Sequence, residues 1–149
     1  MQIDINLVKK LREATFAPLG DCKNALVEAE GDIDKAQEIL KQKGIAKAGK
    51  KADRETNEGL IKTHQANGQT IVLKLLCETD FVAKNETFLQ LFDKIFAELE
   101  SVSGEIRSLE DLEGGIAEKL NTMVAEAVGS IGENLKIGEL FITAGNAYA

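Results

Sequence analysis

Apolar residues recur at helical spacing over the first forty positions. Leu7, Val8 and Leu11 share one face of a helix expected over residues 4–14. Cys22, Ala25, Leu26 and Ala29 follow at i, i+3, i+4 and i+7 and predict a second helix over residues 21–29, with Gly31 taking the left-handed conformation that ends it. Asp32 reads as the cap of a third helix, striped by Ile33, Ala36, Ile39 and Leu40 and closed by Gly44. Between the first two helices, TFAPLGD (15–21) places Phe16 and Leu19 in a loop, either as a lid on a tiny core or as an exposed contact patch. A bundle this small buries little and is marginal alone.

The period then changes from helix to strand. LIKTHQ and QTIVLKLLC flank Asn67-Gly68, a two-residue hairpin signal because both residues tolerate positive φ. That turn sets His64 opposite Ile71. The second strand is nearly continuous in apolar residues, as a central, buried strand would be. An amphipathic helix follows over 86–99, capped by Asn85 and carrying Phe88, Leu89, Leu91, Phe92, Ile95, Phe96 and Leu99. Another spans 116–131, with Leu120, Met123, Val124, Ala127 and Val128 on one face and Gly132 breaking it, and NLKIGELFITAG reads as a closing strand. The expected fold class is α+β: a three-helix module over 1–44, a basic linker or helix over 45–58, and a core domain over 59–149 with a small antiparallel sheet packed with helices.

Charge adds one feature. The chain of 149 residues carries a net −7, which argues against a general nucleic-acid binder. Residues 41–54 nevertheless hold five Lys and one Arg against one Asp, a net +5. A solvated helix or linker is the weightier reading of that run, and an RNA contact is the alternative. No stretch is apolar enough to span a bilayer, and the amino terminus does not read as a signal peptide, so a cytoplasmic protein is expected.

Chemistry is sparse. Cys22 and Cys77 lack CxxC spacing, so neither a metal knuckle nor a redox pair is indicated. A Cys77–His64 nucleophile–base pair can be drawn, but the hairpin register places the two several residues apart, and a strand-end cysteine is more often packing. Walker, GxGxxG and HExxH motifs are absent from the sequence. An enzyme making or breaking covalent bonds is not expected, and no cofactor is implied.

One stretch resists a structural reading. LCETDFVAKNE (76–86) leaves the apolar strand, turns acidic and places Phe81 and Val82 before the helix cap at Asn85. They come too early for the hydrophobic staple of that helix. If a helix starts at Asp80 instead, with its carboxylate capping the Ala83 N–H, Phe81 falls in a first turn without a fixed apolar neighbour. From spacing alone burial leads, since aromatics near helix starts often fold back onto the core. An aromatic presented at a rigid strand-to-helix turn is also an effective interface hot spot.

CETDFVAKNETF (77–88) resembles the Thr-Asp-Phe-Val signature of the bacterial elongation factor Ts family. Residues 7–36 are similar to that family's ubiquitin-associated-like module, and GIAKAGKKADRETNEGLIK (44–62) and IGENLKIGELF (131–141) to its linker and the strand after its core helix. The resemblance implies a guanine-nucleotide exchange factor for elongation factor Tu that holds the GTPase at two places. Asp80 and Phe81, flanked by Thr79 and Val82, would wedge beside the partner's magnesium site, and Arg12, Leu19 and Lys23 would be the contacts of the amino-terminal module. It implies no covalent chemistry, no cofactor and no direct nucleotide or nucleic-acid binding. The first loop departs from the family's glycine- and methionine-rich TGAGMMDCK: Phe16 and Pro18 replace glycines, and Gly20 stands where methionine is common, so a contact there is not carried over. The resemblance covers only the amino-terminal part of long members, implying either a piece of such a chain or a short form that pairs as a homodimer. A competing expectation is a ubiquitin- or nascent-chain-binding module resting on Leu19.

Overall fold

The computed structural model describes residues 2–15 and 17–145. The first helices are α1 (Ile5–Thr15), α2 (Leu19–Glu28) and α3 (Ile33–Lys51). Their shared core is small: Val8, Leu11, Ala17, Cys22, Ala25, Leu26, Ala29 and Ala36. Expected caps are present, since Asp32 accepts from the Lys35 N–H at 3.1 Å. Gly31 (φ +86°) ends α2 by donating to the Leu26 carbonyl at 2.8 Å.

Two expectations in this region need correction. Leu19 is not in the loop but opens α2, because Pro18, with φ near −55° and no N–H, suits the entry to a helix. Phe16 lies outside the described residues. Gly44 does not close α3, which runs on to Lys51 through an Ala- and Lys-rich stretch favourable to helix. The glycine serves a crossing instead. A Cβ built on Gly129 of α6 (Ile116–Ile131) would lie 2.6 Å from the Gly44 Cα, and one on Gly44 3.2 Å from the Glu126 Cα. Two backbones touch where side chains would hold them apart. The stretch expected as a linker or helix, 45–58, is helix as far as Lys51 and is welded onto the second module.

The remaining strands and α-helices are β1 (Glu58–Ala66), β2 (Gln69–Cys77), the single turn α4 (Asp80–Ala83), α5 (Glu86–Leu99) and β3 (Lys136–Ala144), with a short 3-10 turn at Leu109–Asp111. They form an α+β unit whose sheet has the order β1-β2-β3, antiparallel throughout. β2 is central, and His64 faces Ile71 as the two-residue turn dictates, with Asn67 at φ +56° and Gly68 at +75°. Between Leu75 and Lys74 the β3 register slips by one residue, leaving Gly138 as the bulge. Ile71, Leu73, Leu75 and Cys77 point inward with Leu140 and Ile142, against Phe88, Phe92, Ile95 and Leu99 of α5 and Leu120, Val124 and Val128 of α6. Each such side chain contributes about 1.5–3 kcal/mol on full burial, so this core, not the bundle, dominates stability.

Candidate functional site

β2 ends at Cys77 and the chain reverses within two residues into α4. Thr79 has extended backbone, and its hydroxyl accepts from the Val82 N–H at 3.4 Å, which starts the turn. Thr79, not Asp80, is the cap. Four residues then suffice before Asn85 caps α5, accepting from the Thr87 N–H at 2.8 Å. Of the four expected wedge residues, α4 brings Thr79–Val82 into one turn but turns them in different directions. Val82 is buried with Ala83 in the main core. Asp80 is exposed, and Phe81 is 82% exposed. Burial of Phe81, favoured by spacing, is thus incorrect: the inward positions of this turn are already filled by Val82 and Ala83.

The turn is clamped from the other end of the sequence. Glu133, in the connection between α6 and β3, accepts through Oε1 from the N–H groups of Glu78 (3.1 Å) and Thr79 (3.0 Å), and through Oε2 from the Thr79 hydroxyl at 2.7 Å. The neighbouring residue returns the arrangement, since Glu78 Oε2 accepts from the Asn134 N–H at 2.8 Å. Asn134, only 3% exposed, donates through Nδ2 to the Arg54 carbonyl at 2.8 Å, and the Arg54 guanidinium stands 3.6 Å from Glu78 Oε2. The end of the α3 segment, the β2–α4 turn and the α6–β3 connection therefore share one polar network. Sequence reasoning missed Glu78, Glu133 and Asn134 as site residues. Their signal was a polar Glu-Asn pair set directly between the helix-ending Gly132 and an apolar strand.

Cys77 sits behind this turn, donating from Sγ to the Thr79 carbonyl at 3.1 Å. Burial raises its pKa, with the Glu133 carboxylate adding to the effect, so it is protonated and unsuited to nucleophilic attack. His64 pairs with Ile71 while Cys77 pairs with Glu58, and its ring stacks on Phe96 with centroids 5.0 Å apart. Its Nε2 lies 2.7 Å from Glu100 Oε1. The drawn Cys–His pair is not assembled. Among the described residues no group of three or more His, Cys, Asp or Glu side chains is placed to hold a metal ion, and no helix is long and apolar enough to cross a membrane.

The second set of expected contacts lies on the helical module. Leu19 (50% exposed) and Lys23 stand one turn apart on α2, with Val27 (45%) a turn further along the same stripe, and Arg12 is exposed on α1. Three of the six cations in the basic run beside them are engaged within the chain: Lys43 pairs with Glu28 at 3.2 Å, Lys47 with Asp21 at 2.9 Å, and Arg54 with Glu78 at 3.6 Å. That weakens the RNA reading of residues 41–54, which requires free cations.

Residues 78–148, both halves of the clamp included, match the family described as Elongation factor TS. Elongation factor Ts of Fervidobacterium nodosum is 43% identical over 144 residues, covering 95% of this chain and 73% of the relative. The chain belongs to the elongation factor Ts family. The elongation factor Ts of Hydrogenobaculum sp. is 45% identical over 97% of this chain, and that of Xanthomonas campestris 43% over 94%. These cover 55% and 48% of the respective relatives, so the chain spans about half the length of these two elongation factor Ts proteins.

Proposed function

We infer that this chain acts as a guanine-nucleotide exchange factor for elongation factor Tu in translation elongation, working in the cytoplasm without covalent chemistry of its own. The observation that carries the reading is Phe81, 82% exposed on a one-turn helix whose other apolar residues are buried. A large aromatic left in water by a well-packed turn is fitted to a pocket in another protein.

A GTPase holds GDP through backbone N–H groups, a lysine and Mg²⁺, so a group that distorts this cradle removes part of its affinity. Exchange needs only that the factor bind the nucleotide-free partner better than the GDP-bound one. Burying Phe81 contributes about 2 kcal/mol. If realised only in the open state, that favours release by roughly 30-fold. Asp80, exposed beside it, supplies a negative charge near the site where magnesium and phosphate oxygens meet. Thr79 and Val82 hold the turn from within the chain, while Arg12, Leu19 and Lys23 give a second contact that adds avidity.

The test is release of a fluorescent GDP from purified elongation factor Tu. The chain should accelerate release, and Phe81→Ala should lower the acceleration by an order of magnitude or more. No acceleration by the unaltered chain would sink the reading for this stretch of sequence. The exposed Leu19–Val27 stripe favours a second reading, a module that binds ubiquitin-like or nascent chains. Such binding would survive Phe81→Ala and be lost in Leu19→Ala.

A further inference from the structure

A four-residue turn does not hold itself together, because a single turn fixes many dihedrals for very few hydrogen bonds. α4 therefore borrows its geometry. Its one capping acceptor is the Thr79 hydroxyl, which has one proton to donate and two lone pairs to offer. That proton goes to Glu133 Oε2 at 2.7 Å, which leaves a lone pair for the Val82 N–H. The other carboxylate oxygen fixes the N–H groups of Glu78 and Thr79, the two residues that lead into the turn. The Phe81 side chain contributes nothing to this order, since most of its surface is in water, although its carbonyl accepts from the Lys84 N–H at 3.2 Å. The direction in which its Cα–Cβ bond points is set by backbone that Glu133 holds.

We propose that Glu133 is a positioning residue for nucleotide exchange, fixing the α4 turn so that Phe81 meets the partner in a single orientation. This rests on the exchange function proposed above. Glu133 itself is half-buried behind the turn and acts only through Thr79 and Glu78. A charged acceptor taking three hydrogen bonds at once makes stronger bonds than neutral pairs do, so its loss loosens the turn without emptying the apolar core beneath.

The test joins a readout on the free chain to one on the reaction. In Glu133→Ala, amide hydrogen exchange at Val82–Asn85 should quicken about tenfold or more, the usual weight of a charge-assisted hydrogen bond, while β2 and the interior of α5 keep their protection. The maximal rate of GDP release should fall about tenfold, with a smaller change in the half-saturating concentration. Glu133→Gln, which keeps an acceptor for the two N–H groups, should recover most of both. In a Phe81→Ala background, Glu133→Ala should leave the residual release rate where it was. Glu133→Asp, which draws the carboxylate back by one methylene and leaves the Thr79 cap in place, should loosen the turn in the same sense and serves if Glu133→Ala does not fold.

Unchanged protection of the α4 amides would overturn the proposal. So would a loosened turn with full release activity when Phe81→Ala is inactive, or further loss of release on adding Glu133→Ala to Phe81→Ala. If Phe81→Ala itself leaves release intact, the exchange reading is what fails, and the positioning role falls with it even where the amides have loosened.

Discussion

Phe81 and Cys77 lie four residues apart, one in water and the other wholly buried. Their chemistry is set by environments that no local pattern announces. A Phe81 side chain that touches little of its own fold should be dispensable for it, so Phe81→Ala should shift stability by no more than about 0.5 kcal/mol, read from urea unfolding. Cys77 behaves in the opposite way. Its raised pKa lowers the thiolate fraction at every pH below that value, and its side chain is closed off. Native protein at pH 8 should react with a thiol reagent much more slowly than unfolded chain, and Cys22, raised by burial in the same way, should follow it. Spacing made the oddity of Phe81 visible but not its exposure, which only the family resemblance implied, because exposure depends on Val82 and Ala83 having filled the inward side. Glu133 was harder still: its bonds span more than fifty positions, beyond any periodicity or cap rule.

At the scale of elements, local rules succeeded where the governing interaction is local. The Asn67-Gly68 turn fixes the His64–Ile71 register within the hairpin, and Asp32 and Asn85 cap the helices they precede. Gly44 shows where such rules stop. A glycine that ends a helix and one that admits another helix look identical in a single sequence, and only the crossing with α6 tells them apart. The distinction is measurable. Gly129→Ala forces a Cβ to within 2.6 Å of the Gly44 Cα, so it should cost about 1–2 kcal/mol even after the gain in helix propensity. Gly49→Ala, on α3 with open space around it, should stabilise by up to about 1 kcal/mol. Denaturant midpoints of the two variants should move in opposite directions.

For the whole molecule, the weld between α3 and α6 joins a weak bundle to a strong core. Glu126 lies in that weld, in a cleft of about 360 Å³ that also takes in Lys41, Lys94 and Glu38. Burial raises its pKa first, and Glu38 raises it further, against the lowering effect of Lys41 and Lys94. A carboxyl with a raised folded pKa binds more protons folded than unfolded. Its contribution is fully present below the unfolded value, about pH 4, and is lost as pH rises through the folded value. Glu126→Gln should therefore raise the unfolding midpoint at pH 7.5 relative to the unaltered chain, with the two curves converging as pH falls to about 4. Convergence in the reverse sense would show that the lysines outweigh burial.

The strand order also bears on the chain as it is made. β2 is the most apolar strand and needs a neighbour on each edge, yet β1 precedes it directly while β3 comes only after two long helices. At a synthesis rate of roughly 5–20 residues per second, one edge of β2 stays open for several seconds on the ribosome. The first hairpin emerges early, with half of its central strand's hydrogen-bonding groups awaiting the last element.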